Sequence, residues 1–417
     1  MTDDYDVIVV GGGASGLMAA GFAAKRGLSV LILDKNKRPA RKVIITGKGR
    51  CNVTNNCEPD EFIKAVKTNG RFLYSCANTF TAHDTIAFFE NLGVPLKTER
   101  GNRVFPVSDK SLDIVDALQR FIMKNGCQYR QAIVKRIIVE NERAGGVILS
   151  DDTVINAKAV VIATGGISYP LTGSTGDGYK FAVQTGHTVI APGPSLVPIV
   201  TKEKWATDLQ GLSLKNVTLS VVDKENGKKI FYEQGELLFT HFGISGPLVL
   251  SASAHMKDVY DGRYKLIIDL KPALSKEMLD ARLRRDFEKY KNKDFSNALR
   301  DLLPARMIET VVLLSGIAPQ LKINQITKEM RAKTVALLKG LELTFKSFRP
   351  VDEAIITSGG VNVTEINPKT MESKKISELY FAGEVLDVDA YTGGYNLQIA
   401  FSTGYVCGSS VLSKETY

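Results

Sequence analysis

The hydrophobic pattern opens on a short β-branched run, Asp6-Val7-Ile8-Val9-Val10, which breaks into Gly11-Gly12-Gly13-Ala14-Ser15-Gly16. An alanine-rich stretch to Arg26 predicts a helix, and Val30-Leu31-Ile32-Leu33-Asp34 predicts a second strand ending in an acid. Two later apolar runs, at 159–163 and 379–382, also stop in small residues: Thr164-Gly165-Gly166 and Gly383-Glu384. Open α/β sheets bind ligands beyond the carboxyl ends of their strands. These ends therefore predict one site assembled from distant segments, in a discontinuous nucleotide domain. The intervening texture differs: residues 195–270 alternate as strands, notably 217–222 and 266–270. From 275 to about 345 the pattern turns helical, with apolar repeats at Met307-Ile308, Val311-Val312 and Leu314.

The glycine run gains meaning from its place between strand and helix. Gly11 permits the tight turn, Gly13 lets the backbone approach a pyrophosphate, and Gly16 lets the helix pack on the strand. Asp34 follows the last glycine by 18 residues, where a carboxylate accepts from ribose hydroxyls and repels a 2′-phosphate. A second glycine pair, Gly393-Gly394, precedes a predicted helix starting near Asn396, whose free amides favour negative charge. A site that needs so remote a segment suits FAD better than the shorter NAD. The polar stretch 46–55 follows the second strand, and Lys48 and Arg50 within it are candidates for an anionic ligand.

Composition narrows the class. With 44% hydrophobic and 24% charged residues over 417 positions, the chain is neither disordered nor a disulfide scaffold. The 54 basic and 45 acidic residues leave +9 and a pI near 9.1, which favours anionic ligands. The basic residues form scattered small clusters, such as Lys35, Lys37, Arg38, Arg41 and Lys42, or Arg282, Arg284 and Arg285. They read as solvated faces, and nucleic acid is not the expected partner. Five cysteines without paired spacing and an acidic start predict a cytoplasmic protein, and no apolar run predicts a membrane span. Four histidines without ligand spacing predict no metal site. Cys51 and Cys57 are separated by five residues, against the four typical of disulfide reductases, and no second G-x-G-x-x-G is visible.

The chain resembles the BaiN/YhiN-like FAD-dependent flavoproteins nearly throughout. The resemblance rests on Gly11 to Gly16 with Asp34, on Lys42-Val43-Ile44-Ile45-Thr46-Gly47-Lys48-Gly49-Arg50-Cys51-Asn52-Val53-Thr54-Asn55, and on Gly173-Ser174-Thr175-Gly176-Asp177-Gly178. It continues through Leu238-Phe239-Thr240-His241-Phe242-Gly243-Ile244-Ser245-Gly246-Pro247, Thr357-Ser358-Gly359-Gly360-Val361, Gly383-Glu384-Val385-Leu386-Asp387-Val388-Asp389 and Gly393-Gly394-Tyr395-Asn396-Leu397-Gln398. The resemblance implies an α/β fold: a split Rossmann-type FAD-binding domain (1–190 plus 350–417) with an inserted β domain (191–273) and a helical domain (274–349). It places FAD against Gly11, Gly13, Ala14, Ser15, Gly16, Asp34, Lys35 and Lys42, then Gly47, Gly49, Arg50, Cys51 and Asn52. Val134, Thr164, Gly165, Gly383, Glu384, Gly394, Asn396 and Leu397 complete that set, with Val134 near the adenine. Arg50, His241 and Tyr391 are the candidate catalytic residues.

The implied activity is an FAD-dependent oxidoreductase passing hydride from NAD(P)H through flavin to a small-molecule, electron-poor C=C acceptor conjugated to a carbonyl. The alternatives are an RNA-associated flavoprotein and a flavoprotein oxidase or dehydrogenase.

Overall fold

A computed structural model describes residues 4–413, which divide into two compact units: 4–195 with 350–413, and 196–349. In the first, β1 (Tyr5–Val10) leads through the glycine turn into α1 (Ala14–Lys25) and β2 (Val30–Asp34). The sheet also takes in β3 (Gln128–Gln131), β4 (Val134–Glu140), β5 (Arg143–Leu149), β6 (Val154–Ile162) and β7 (Leu379–Phe381). Its order is β3-β2-β1-β6-β5-β4, with β7 pairing β6 as the seventh strand. β3, β2, β1, β6 and β7 run parallel, whereas β5 is antiparallel to β6 and to β4. Parallel strands covered on both faces read as continuous apolar runs, and Val7 to Val10 are all buried.

α1 is buried almost all round because the C-terminal helix, Tyr395–Ser410, lies against it through small residues. A Cβ on Gly404 would sit 2.4 Å from the Ser15 carbonyl oxygen, and one on Gly408 2.3 Å from that of Ala19. The last segment of the chain thus packs against the first helix, as the discontinuous domain requires.

The second unit is a closed barrel of Ile199–Thr201, Gly243–Ser245, Lys229–Thr240, Ser213–Asp223, Tyr264–Asp269 and Leu341–Phe348, which returns to the first strand. Closure removes the exposed sheet edges. Helices Lys276–Lys289, Ala305–Ser315 and Lys328–Lys339 share one buried core with the barrel, through Leu266, Leu283, Val311 and Leu338. This corrects three expectations. The inserted β domain and the helical domain form one unit, and residues 341–348 are the strand that closes the barrel rather than the end of a helix. The first boundary falls at 195/196, not 190/191, because the strand Val189–Ser195 pairs with Ile356–Val361 of the first unit.

Candidate functional site

β1, β6 and β7 are successive parallel neighbours, so their carboxyl ends bring Gly11 to Gly16, Thr164-Gly165 and Gly383-Glu384 together. The convergence is bonded: Ser15 Oγ donates to the Ala382 carbonyl at 3.2 Å, and the Gly383 amide donates to Thr403 Oγ1 at 3.0 Å. Gly11 has φ +107, and a Cβ there would meet the Ala163 carbonyl oxygen at 2.4 Å. Gly16 has its Cβ position 1.9 Å from the Gly11 carbonyl oxygen. At Gly13 a Cβ would find only that Ala163 oxygen, at 4.0 Å. The first and third glycines therefore serve the protein's own packing, while the second faces open space.

Two helix starts supply donors. The first α1 bond runs from the Leu17 amide to the Gly13 carbonyl at 2.9 Å, leaving the amides of Ala14, Ser15 and Gly16 without intrahelical partners. In the C-terminal helix the first bond runs from Gln398 to Gly394 at 3.0 Å, leaving those of Tyr395, Asn396 and Leu397. Asp34 Oδ2 accepts from the Gly12 amide at 2.7 Å, and Oδ1 accepts from the Asn36 amide at 2.7 Å. Asn36 Nδ2 also donates to Oδ1 at 3.0 Å, and since a carboxylate offers about four lone-pair sites, Asp34 keeps capacity for a ribose hydroxyl while holding the glycine turn. Val134 begins β4 beside a groove of about 440 Å³ lined by Lys35, Gln131, Ala132, Ile133, Leu149 and Ser150. Thr164 Oγ1 and Asn52 Oδ1 are buried without a protein partner. An open cradle at Gly13, two sets of free amides and two orphaned oxygens fit a dinucleotide such as FAD.

Other expected residues are already engaged. Lys42 Nζ donates to Glu384 Oε2 at 2.8 Å and also bonds Ser168, tying the loop after β2 to the end of β7. Lys35 bonds Thr175 and Asp177. The Arg50 guanidinium lies 4.2 Å from the Phe105 ring centroid, donates from Nε to Asp109 at 2.9 Å and pairs with Glu99. Hydrogen bonds from the guanidinium to Glu99 and then Asp109 raise its already high pKa, so Arg50 stays charged. In the same loop, which turns through left-handed Gly47, Lys48 and Gly49, Lys48 is exposed and makes no hydrogen bond or ion pair among the described residues.

Gly394 has φ +101, and its Cβ would fall 2.3 Å from the Thr54 carbonyl carbon and oxygen. The backbone it must accommodate is therefore that of Thr54. Asn396 fastens the preceding turn, its Oδ1 accepting from the Ala390 amide at 3.0 Å and its Nδ2 donating to the Ala390 carbonyl at 2.9 Å; Leu397 is half-buried beside it. Tyr391 Oη accepts from Lys67 Nζ at 3.1 Å, a partner 324 residues away that no local pattern could reveal. His241 is exposed in the second unit, at the turn between Lys229–Thr240 and Gly243–Ser245, its ring 4.9 Å from that of Phe242.

Cys51 is fully buried, and burial pushes its thiol up to about 12. Cys57 is pushed up to about 11 by burial, reinforced by Glu61 and Glu58. Both stay neutral thiols near pH 7, unsuited to nucleophilic disulfide chemistry. Iodoacetamide at pH 8 is expected to spare Cys51 in the folded protein and label it on unfolding; rapid native labelling would contradict this burial. Because the folded value lies above the ordinary 9.0, the stabilising contribution of Cys51 is fully present below pH 9 and lost as pH rises toward about 12.

Among the described residues, no helix is long and apolar enough to cross a membrane, and no group of three His, Cys, Asp or Glu is placed to hold a metal ion. The ribosomal RNA dihydrouridine synthase of Escherichia coli K12 is 32% identical over 413 residues, 99% of each chain. The 3-dehydro-bile acid delta(4,6)-reductase of Clostridium scindens is 28% identical, over 97% of this chain and 98% of that one. Among solved structures, 3-ketosteroid-Δ4-(5α)-dehydrogenase from Rhodococcus jostii RHA1 shares the fold, with a TM-score of 0.54 at 15% identity over 99% of this chain and 97% of that one. The model of the HI0933-like protein Rossmann domain matches residues 5–410, and the chain belongs to that family of FAD-dependent oxidoreductases.

Proposed function

We propose that this protein reduces a carbon–carbon double bond conjugated to a carbonyl, with the uracil ring of RNA as acceptor and NAD(P)H as electron donor. One observation carries the reaction class: relatives that match over nearly their whole length, among them two at 32% and 28% identity, have names that describe the same bond change. Dihydrouridine is uridine reduced at C5=C6, which is conjugated to the C4 carbonyl; a Δ4,6 bond beside a 3-oxo group is likewise an enone. The higher identity and the net charge of +9 favour RNA. In this reading RNA is the reacting substrate rather than a ligand merely bound, whereas the sequence alone pointed to a small-molecule acceptor. A steroid-like enone is the second reading, favoured by the bile-acid reductase.

Bound FAD supplies a two-electron carrier between donor and acceptor. The protein's own part is to hold and to protonate. The free amides at the start of α1 suit the pyrophosphate, and Asp34 suits the ribose. The amides of Tyr395 to Leu397 favour negative charge at the second helix start. Reduction of the double bond also consumes one proton, and we assign it to Tyr391 Oη. Lys67 Nζ donates to that oxygen at 3.1 Å, and its positive charge favours the phenolate that loss of the proton would leave.

Anaerobic mixing of reduced holoprotein with unmodified ribosomal RNA, or separately with a steroid enone, tests the choice. Faster flavin reoxidation by RNA is expected. Reoxidation by the enone alone would select the second reading.

A further inference from the structure

The positive charge is concentrated in one segment, which corrects the scattered appearance of the sequence. Residues 271–349 hold 17 Lys and Arg against nine Asp and Glu, a net of +8 out of the chain's +9. Residues 196–270 of the same unit balance at nine against nine, and the first unit carries 28 against 27.

Within that segment, the helix Lys276–Lys289 buries Leu279, Leu283 and Phe287 on one face. Beside it runs a groove of about 510 Å³ lined by Leu274, Met278, Ala281, Arg282, Arg284 and Arg285. Arg282 and Arg284 are held through Nε by Asp286 at 2.8 Å and Asp280 at 2.9 Å. Their terminal amino groups make no further bond among the described residues. Arg285 and Lys276 are exposed and make no hydrogen bond or ion pair there. Half-buried Lys271 is held below its ordinary value by burial and then by the charge of Arg282, a sign of crowded cations. Guanidinium forks with free N–H pairs match phosphate oxygens bidentately, and the apolar floor leaves room for a sugar.

We infer that this arginine-rimmed groove binds the sugar–phosphate backbone of RNA, an assignment that rests on the uracil reading above. RNA is the occupant because +8 gathered in 79 residues complements a regularly spaced polyanion.

The test uses full-length holoprotein and an unmodified ribosomal RNA transcript, with affinity measured across a salt series. Lys276→Gln with Arg285→Gln removes two cations that hold no other side chain, so FAD content should not change. The expected result is binding weaker by about 10-fold at low salt, with a slope of log affinity against log salt shallower by about 1 to 2. Lys224→Gln with Lys228→Gln, in the charge-balanced part of the unit, should leave the slope at the wild-type value. Wild-type slope and affinity in the first variant would overturn the groove while leaving the uracil reading intact, provided wild type still binds and reduces RNA. A wild-type protein that neither binds nor reduces RNA would overturn both. Occupation by polyglutamate in place of RNA would assign the groove to an acidic protein instead.

Discussion

Gly13→Ala is expected to weaken FAD binding by about 1–3 kcal/mol, roughly 5- to 150-fold, while the apoprotein keeps its fold. The new methyl has room within the protein, with the nearest atom outside its chain neighbours the Ala163 carbonyl oxygen at 4.0 Å, and Gly13 has φ −82, open to any residue. What it fills is the space beside the free amides of Ala14 to Gly16. Gly16→Ala should behave in the opposite way. Its methyl would overlap the Gly11 carbonyl oxygen at 1.9 Å, so the strand and helix must separate and the folded state itself loses stability. Isothermal titration with FAD and thermal melts of both apoproteins distinguish the two. Equal FAD affinity in Gly13→Ala and wild type would remove the glycine turn from the site.

The second large effect is expected at Gly394. Valine there combines a left-handed φ of +101 with a Cβ 2.3 Å from the Thr54 backbone. Each costs about 1–3 kcal/mol. The melting temperature should drop by about 2–4 °C for each kcal/mol lost. Gly227→Asn is the control, since Gly227 meets nothing within 4 Å and Asn tolerates its φ of +69. A Gly394→Val protein as stable as the control would contradict the packing of the C-terminal helix against the strand Thr54–Asn55. Any accompanying change in flavin potential reports on that junction, because the obstructed atom is protein backbone.

These two glycines show where the sequence was legible. The β1–α1–β2 unit could be read because its chemistry is local: three glycines at fixed spacing, a β-branched run before them and an acid at the end of β2. The convergence of β1, β6 and β7 could be anticipated, since apolar runs ending in glycine are a local signal of a shared sheet edge. The partners could not. Arg50 finds Glu99 and Asp109 49 and 59 residues away, and Lys42 finds Glu384 across 342. The barrel hid its last strand because Leu341–Phe348 follows a run of helices directly, and pairing with Ile199–Thr201 and Tyr264–Asp269 decides its conformation more than its own pattern does. Gly394 was legible as a special position, yet the neighbour that makes it special is Thr54, 340 positions earlier.

The central claim is reduction of a uracil ring in RNA at this FAD site. The most direct measurement is to reduce the holoprotein anaerobically with NADPH or NADH, add unmodified ribosomal RNA, digest the RNA and count dihydrouridine by mass spectrometry. One dihydrouridine for each flavin reoxidised is the predicted result, with none when the donor is omitted. Flavin that stays reduced in the presence of RNA, or that reoxidises without any dihydrouridine appearing, would contradict it.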